Sequence, residues 1–168
     1  TVEKSNSKSL ATYETNTLGT ANLLEALRYC DSVKSVVIVS TDAVYKKEMD
    51  KHIYIEEDRL KGENFYSNSK TCAELIVENY KNIYFKSREY PRISITRSVN
   101  VIGGGDFNKQ RILPTCINSW INNKEITIRN PKNVRPFLDV LETLYGYLLL
   151  AKLQYFDKSV EGIYNFSP

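Results

Sequence analysis

Cysteine and histidine are scarce in this sequence of 168 residues. The single histidine is His52, and the three cysteines are dispersed along the chain, without a C-x-x-C pair, at Cys30, Cys72 and Cys116. An odd number of dispersed cysteines supports neither a disulfide framework nor a zinc site. We therefore expect no metal centre and a reducing, cytoplasmic environment.

Long apolar runs and blocks of like charge are also absent. No stretch approaches the roughly 18 continuous apolar residues of a membrane span, and residues 1–16 are polar where a signal peptide requires an apolar run. The 23 basic and 20 acidic residues are interleaved and leave a net charge of +3. This distribution is typical of an ordinary protein surface, so we expect neither a membrane nor nucleic acid as a partner.

A glycine-rich phosphate-binding turn is missing as well. The run Gly103-Gly104-Gly105 follows a predicted strand, but the G-x-G-x-x-G fingerprint would require a third glycine where this sequence has Asn108. The fingerprint also requires a helix that opens inside the motif, whereas Pro114 places the next helix start later. The run is better suited to a sharp turn or to close passage of the backbone along a ligand.

Helical and extended patterns alternate along the chain. Predicted helices begin at Asn16, Tyr66, Pro114 and Asp139. Asn16 and Asp139 are candidate caps, Pro114 suits a first helical turn, and the helix from Tyr66 is predicted from apolar residues at helical spacing. Predicted strands lie between them, at Val36–Val39, Arg92–Arg97, Glu125–Ile128 and Gly162–Phe166. Such alternation favours an α/β fold, with a parallel sheet and helices on both of its faces.

Tyr66 and Lys70 form the most informative pair of residues. They are four positions apart at the start of a predicted helix, so both side chains project from one helical face. A phenol has an ordinary pKa of about 10, and lowering it by roughly three units takes about 4 kcal/mol, which a nearby ammonium can supply in part. A tyrosine tuned in this way can accept a proton from a sugar hydroxyl near neutral pH.

Several motifs in a consistent order give the chain a family resemblance. They are Asn16-Thr17-Leu18-Gly19-Thr20, Ser40-Thr41-Asp42, Tyr66-x-x-x-Lys70 with Ala73-Glu74-Leu75, and Arg97-x-x-Asn100 continuing into Gly103-Gly104-Gly105-Asp106. Together they resemble the extended short-chain dehydrogenase/reductase family of NAD-dependent epimerases and dehydratases. Later segments are similar to its CDP-glucose 4,6-dehydratase subfamily, namely Ile128-Arg129-Asn130-Pro131, Arg135-Pro136-Phe137, Val140-Leu141-Glu142 and Gly146-Tyr147-Leu148.

The resemblance implies a partial Rossmann-type fold. Residues 1–100 would be the later part of the NAD-binding domain, without its N-terminal glycine-rich βαβ unit, so the chain is expected to be a fragment that is doubtful as a catalyst alone. Residues 101–168 would begin a smaller nucleotide-sugar-binding region, interleaved with late Rossmann elements. The family also implies a homodimer, in which helices equivalent to Thr17–Tyr29 and Tyr66–Phe85 pair with those of a second copy.

The resemblance further implies a reaction, the conversion of CDP-glucose to CDP-4-keto-6-deoxyglucose with NAD as cofactor. The implied catalytic residues are Tyr66 and Thr41 at the C4 hydroxyl, Lys70 beside them, and Asp42 as the acid for the departing C6 hydroxyl. The implied cofactor contacts are Tyr66, Lys70, Ser40 and Asn16. The implied substrate contacts are Asn100, Arg111, Arg129 and Arg135.

One departure from the subfamily keeps other functions open. Where the subfamily has lysine after the aspartate, this sequence has Ala43, whose methyl group can neither donate nor accept a proton. A redox-only nucleotide-sugar epimerase would need Tyr66 and Lys70 but no elimination acid or base. A non-catalytic nucleotide-sugar-binding or assembly module would need neither Tyr66 and Lys70 nor an elimination acid or base.

Overall fold

The computed structural model describes residues 2–48, 52–128 and 130–168. The helices of this part of the chain are α1 Val2–Ser7, α2 Ser9–Tyr13, α3 Gly19–Leu27, α4 Phe65–Tyr80, α5 Ile112–Ile121 and α6 Val140–Phe156. Short π-helical turns at Glu14–Leu18 and Lys81–Phe85 continue α2 into α3 and extend α4, and 3-10 turns lie at Asp42–Val44 and Lys158–Val160. The strands are β1 Ser35–Thr41, β2 Arg92–Ser98, β3 Asn100–Ile102, β4 Phe137–Asp139 and β5 Ile163–Phe166.

Three of the strands form a parallel sheet in the order β1-β2-β5. The register pairs Thr41 with Ser98 and Ser98 with Phe166, so all three strands end at the same edge. Two short strands, β3 and β4, pair in parallel beyond that edge and set Asn100 opposite Phe137. The predicted α/β class with a parallel sheet is therefore confirmed.

Helices cover both faces of the main sheet. Successive strand residues point to opposite faces, and the contacts of β1 show which helix lies on each. The Ser40 hydroxyl donates to Glu74 of α4, whereas the Ser35 hydroxyl donates to the Ala151 carbonyl of α6 at 2.7 Å. The apolar core lies on the α4 side, where α3, α4 and β2 contribute Leu24, Leu27, Val77, Phe85, Ile93 and Ile95.

The start of α4 is set by a reciprocal cap. The Asn64 side chain accepts a hydrogen bond from the Ser67 backbone N–H at 3.0 Å, and the Ser67 hydroxyl accepts one from the Asn64 N–H at 3.1 Å. These bonds satisfy two N–H groups that a helix start otherwise leaves unpaired. The helix begins at Phe65, one residue before the predicted start, and Tyr66 therefore lies in its first turn.

The start of α6 is also as predicted, since the Asp139 carboxylate accepts a hydrogen bond from the Leu141 N–H at 2.7 Å. Two glycines then let this helix approach its neighbours. A Cβ atom on Gly103 would lie 2.4 Å from the Val140 side chain, and one on Gly146 would lie 2.2 Å from the Phe166 ring.

No helix in the described part of the chain is long and apolar enough to cross a membrane.

Two of the predicted elements are wrong. Asn16 is not an N-cap, because the chain is helical on both sides of it and its side chain bonds to Ser69 of α4 instead. The segment Glu125–Ile128 is not a strand and is exposed along its length. Its β-branched residues favour extended backbone, but a strand also requires a neighbour to pair with, and none of the described strands lies beside it.

Candidate active site

The ends of β1 and β2 and the first turn of α4 meet at one edge of the sheet. Thr41, the last residue of β1, is buried and also caps the 3-10 turn that follows, since its hydroxyl accepts from the Ala43 N–H at 3.3 Å. Tyr66 reaches the same place from α4 and interacts with the Thr41 hydroxyl. The order strand, turn, loop and helix thus brings together two hydroxyls that are 25 residues apart in sequence.

The surroundings of Tyr66 hold its phenol in the protonated form. Burial raises the pKa of Tyr66 above its ordinary value, the Thr41 hydroxyl opposes that shift, and the Asp42 carboxylate adds to it. The Arg111 guanidinium lowers the pKa of Tyr66 by a smaller amount. The net direction is upward, which is opposite to the direction expected from the spacing of Tyr66 and Lys70, because burial and the Asp42 charge outweigh the opposing effects of Thr41 and Arg111.

Lys70 lies below Tyr66 on the same face of α4. Its ammonium donates a hydrogen bond to the Val39 carbonyl of β1 at 2.6 Å, which ties the helix to the end of the strand. Burial lowers the pKa of Lys70, and the Glu74 carboxylate one turn further along offsets part of that shift. A lysine ammonium has three N–H donors, and among the described residues this one uses a single donor.

Asp42 is the candidate acid of the site. Burial raises the pKa of Asp42, while the Thr41 hydroxyl, which donates to it at 3.1 Å, and the Ala43 N–H oppose the shift. The charge of Arg135 also lowers the pKa of Asp42, so the segment before β4 lies within electrostatic reach of the strand end. Ala43 is exposed beside this carboxylate and contributes only its backbone N–H.

Three of the four predicted substrate contacts lie around the same edge. Pairing of β3 with β4 sets Asn100 beside the Arg135-Pro136-Phe137 segment, and the Asn100 side chain donates to the Pro136 carbonyl at 3.4 Å. Arg111 is exposed, forms an ion pair with Asp106 at 2.9 Å and acts electrostatically on Tyr66. Arg129 lies outside the described residues.

The two remaining predicted cofactor contacts, Ser40 and Asn16, make supporting hydrogen bonds. The buried Ser40 hydroxyl donates to Glu74, on the face of the sheet opposite to Thr41. The Asn16 amide donates to the Ser69 hydroxyl at 3.0 Å, and that hydroxyl donates to the Tyr66 carbonyl at 2.8 Å. Asn16 therefore steadies the backbone of Tyr66, and its contact with a cofactor stays a prediction.

A buried polar network under the site was not predicted as such. Glu74 and Arg97 form an ion pair at 2.7 Å and are 1% and 2% exposed. Arg97 also donates to the Tyr45 hydroxyl at 2.9 Å and to the Glu56 carbonyl at 2.8 Å, and the Tyr45 hydroxyl donates to Asn165 of β5 at 2.7 Å. The sequence signal that could have revealed this network is Arg97, a charged residue in a predicted strand, because a buried charge requires a partner.

Sequence reasoning also missed Tyr147 of α6 as part of the site. Its hydroxyl shares a hydrogen bond with the Ser98 hydroxyl at the end of β2, and it is among the groups that act on Tyr66. A tyrosine in an apolar helix gives no sequence signal of this kind, because the contact depends on how closely α6 approaches the sheet.

The chain matches a known protein family over nearly its whole length. Residues 1–165 match the sequence model of the NAD dependent epimerase/dehydratase family. The chain belongs to that family. The match covers nearly the whole chain, including every element that contributes a residue to the edge of the sheet described above.

Two relatives in sequence are nucleotide-sugar 4,6-dehydratases. The chain is 38% identical over 165 residues to a CDP-glucose 4,6-dehydratase of Salmonella typhimurium, covering 95% of this chain and 46% of that protein. It is 36% identical over 162 residues to a dTDP-D-glucose 4,6-dehydratase of Dictyostelium discoideum, covering 90% of this chain and 36% of that protein. The chain thus spans less than half the length of these relatives.

Solved structures of the family share the fold. A dTDP-glucose 4,6-dehydratase of Bacillus anthracis in complex with NAD superposes with a TM-score of 0.78 at 26% identity, over 92% of this chain and 47% of that one. A UDP-N-acetylglucosamine 4-epimerase of Methanobrevibacter ruminantium superposes with a TM-score of 0.84 at 20% identity, over 99% of this chain and 51% of that one. The Rossmann-type arrangement of the sheet and its helices is therefore common to dehydratases and epimerases.

Proposed function

We propose that this chain is part of an NAD-dependent nucleotide-sugar 4,6-dehydratase that converts CDP-glucose to CDP-4-keto-6-deoxyglucose. The observation that carries the proposal is the convergence of Tyr66, Thr41 and Asp42 at the end of one strand. The 38% identity to a CDP-glucose 4,6-dehydratase supports the choice of reaction and of nucleotide. We place this chemistry in the cytoplasm, where the three cysteines, all free thiols in the structure, would stay reduced.

The residues at the strand end fit a nicotinamide cofactor. NAD, held there by Lys70, would supply the hydride-transfer chemistry of the reaction. On the protein side, Tyr66 accepts the proton of the C4 hydroxyl, and the Thr41 hydroxyl shares that proton and orients the sugar oxygen. The two remaining N–H donors of Lys70 suit the hydroxyls of a ribose, while the third keeps the ammonium fixed on Val39.

Asp42 would serve the elimination of water. Its raised pKa keeps a larger fraction of the carboxyl protonated near neutral pH, and a protonated carboxyl can deliver a proton to the departing C6 hydroxyl. The separation of roles follows from position, since Asp42 lies just beyond the strand in the 3-10 turn, whereas Thr41 is the last residue of the strand and Tyr66 reaches it from α4.

Three arginines would hold the nucleotide part of the substrate. A guanidinium fork matches the oxygens of a pyrophosphate in geometry and in charge. We assign this role to Arg111, Arg129 and Arg135, with Asn100 as a contact to the sugar. Arg111 and Arg135 support the assignment, because each acts electrostatically on a residue of the proposed chemistry, Tyr66 and Asp42 respectively.

The decisive experiment uses the intact polypeptide that contains this chain. Incubated with CDP-glucose, it should show the absorbance of enzyme-bound NADH and then form the 4-keto-6-deoxy sugar, detected by mass spectrometry. UDP-glucose and dTDP-glucose serve as comparison substrates. If none of the three nucleotide sugars reduces the bound NAD, the enzymatic proposal fails and the assembly-module alternative is favoured.

A redox-only 4-epimerase is the second candidate, and Ala43 is the observation that favours it. An epimerase needs to oxidise and reduce at C4, and it has no use for a second proton-carrying group beside Asp42. The same incubation separates the two candidates. A change of configuration at C4 without loss of water would identify an epimerase.

We predict that replacing Ala43 with lysine accelerates the formation of the 4-keto-6-deoxy product by about 10²-fold, the lower end of the range for one acid–base group. The reason is that the exposed position next to Asp42 gains a group that can carry a proton. The rate of NAD reduction should change little, because Tyr66 and Thr41 are untouched. Ala43→Met is the matched control, with a side chain of similar length and no proton to transfer. Equal acceleration by both variants would contradict the acid–base explanation.

We also predict that the intact protein is a homodimer formed through α3 and α4. These helices and the π-helical turns that adjoin them expose the apolar residues Leu18, Leu23, Leu75 and Ile83. Light scattering at tens of micromolar protein should give twice the monomer mass, and Leu75→Glu should shift it towards the monomer. Leu148→Glu, at a leucine of α6 that is 72% exposed against 55% for Leu75, should leave the mass unchanged. A monomeric unmodified protein would refute the prediction.

A further inference from the structure

A second phenol approaches the strand ends from the face opposite to α4. Tyr147 lies in α6, and its hydroxyl shares a hydrogen bond with the hydroxyl of Ser98, which is 5% exposed. The register places Ser98 beside Thr41 in the adjacent strand. Paired residues of parallel strands project to the same face, so the hydroxyls of Ser98 and Thr41 are neighbours on the α6 side of the sheet.

The position of Tyr147 is fixed by the packing of its helix. Gly103 lies against Val140 at the start of α6, and Gly146 within α6 lies against the Phe166 ring, both more closely than a side chain at either glycine would permit. The Tyr147 ring packs against the Phe166 ring, with centroids 5.1 Å apart and planes inclined at 53°. Tyr147 is therefore held from two sides, by ring contact below and by the Ser98 hydroxyl at its tip.

We propose that Tyr147 is a positioning residue, which fixes the Ser98 hydroxyl and thereby keeps the neighbouring Thr41 hydroxyl directed at Tyr66. The physical reason is steric. A threonine has few rotamers open to it, and an immobile neighbour on the same face removes those that turn away from Tyr66. The proposal rests on the proposed role of Tyr66 and Thr41 at the C4 hydroxyl.

The pKa of Tyr66 distinguishes positioning from other roles of Tyr147. The Thr41 hydroxyl lowers the pKa of Tyr66, whereas Tyr147 raises it through its own charge. If Tyr147 keeps Thr41 in place, removing its hydroxyl weakens the Thr41 contact and raises the pKa of Tyr66. If Tyr147 acts only through its charge, the same change lowers it. If Tyr147 only attaches α6 to the sheet, the pKa stays the same.

The test is a pH titration of Tyr66 in the intact polypeptide, followed by NMR of tyrosine labelled with ¹³C at the hydroxyl-bearing ring carbon and assigned with a Tyr66→Phe variant. Tyr147→Phe and Ser98→Ala should each raise the midpoint of Tyr66 by about half a pH unit, the size expected when one hydrogen bond is weakened. The double variant should add little to either single one, because both act through the same contact. Tyr145→Phe, two residues away and exposed, should leave the midpoint unchanged.

A midpoint that falls or stays constant in Tyr147→Phe overturns the proposal, whatever happens to the melting temperature. Kinetics provide a second readout. With CDP-glucose, kcat for NAD reduction should fall about tenfold in Tyr147→Phe while KM is retained, as expected for a misplaced catalytic group. If the unmodified protein oxidises no nucleotide sugar, the proposed function fails, but the titration still decides whether Tyr147 positions Thr41.

Discussion

Replacing Arg97 with methionine should lower the free energy of unfolding by about 3 to 5 kcal/mol, the usual cost of leaving one member of a buried ion pair alone. Methionine is of similar length but leaves the Glu74 carboxylate, which is 1% exposed, without its cation. The Tyr45 hydroxyl and the Glu56 carbonyl lose a donor in the same step. Chemical denaturation followed by circular dichroism measures the change.

An exposed ion pair provides the control for this prediction. Lys46 and Glu48 form a contact of 2.9 Å at the surface, and Glu48→Gln should leave the free energy of unfolding almost unchanged because solvent screens such pairs. Adding Glu74→Leu to Arg97→Met should recover part of the loss, since no buried charge then remains unpaired. A loss as small for Arg97→Met as for Glu48→Gln would show that the network does not stabilise the fold.

Replacing Tyr66 with phenylalanine should reduce the rate of NAD reduction by about 10³-fold, within the range for removal of a general base. The substitution keeps the ring and removes only the hydroxyl that meets Thr41. Stopped-flow absorbance of the intact polypeptide with CDP-glucose measures the rate. Tyr29→Phe is the control, because Tyr29 is an exposed tyrosine at the end of α3.

The pH dependence provides a second check on Tyr66. Because its pKa is raised, the phenol is mostly protonated near neutral pH. A base must be deprotonated to act, so the rate of NAD reduction in the unmodified protein should rise as the pH increases from neutrality. Tyr66→Phe should lose this rise together with the rate. A variant that retains both would remove Tyr66 from the proposed chemistry.

Local sequence signals predicted the elements that position the proposed site. The β-branched run at Val36–Val39 became the centre of β1, and Asp139 became the cap of α6. The start of α4 was predicted to within one residue, because a helix start depends on capping bonds between residues close in sequence. These features are decided by neighbours along the chain, which the sequence displays directly.

Features that depend on distant partners were not predictable in the same way. Asn16 has the character of a helix cap, yet its partner is Ser69, 53 residues away. The pKa of Tyr66 was expected to fall because of Lys70, but burial and Asp42 raise it. The burial of Tyr66 and the contact between Tyr147 and Ser98 both follow from how the helices pack on the sheet. The spacing of residues along one helix or strand carries no information about this packing.

The alternation of side chains along β1 and β2 has a consequence for the evolution of such a chain. Ser40 and Arg97 point to the α4 face and belong to the network that supports folding, whereas Thr41 and Ser98, one residue later, point to the α6 face and the proposed chemistry. Neighbouring codons thus encode one residue of the buried network and one residue of the proposed chemistry. A lineage that no longer needs catalysis can accumulate substitutions at 41 and 98 while purifying selection still preserves 40 and 97, so a folded descendant without activity is a short evolutionary distance away.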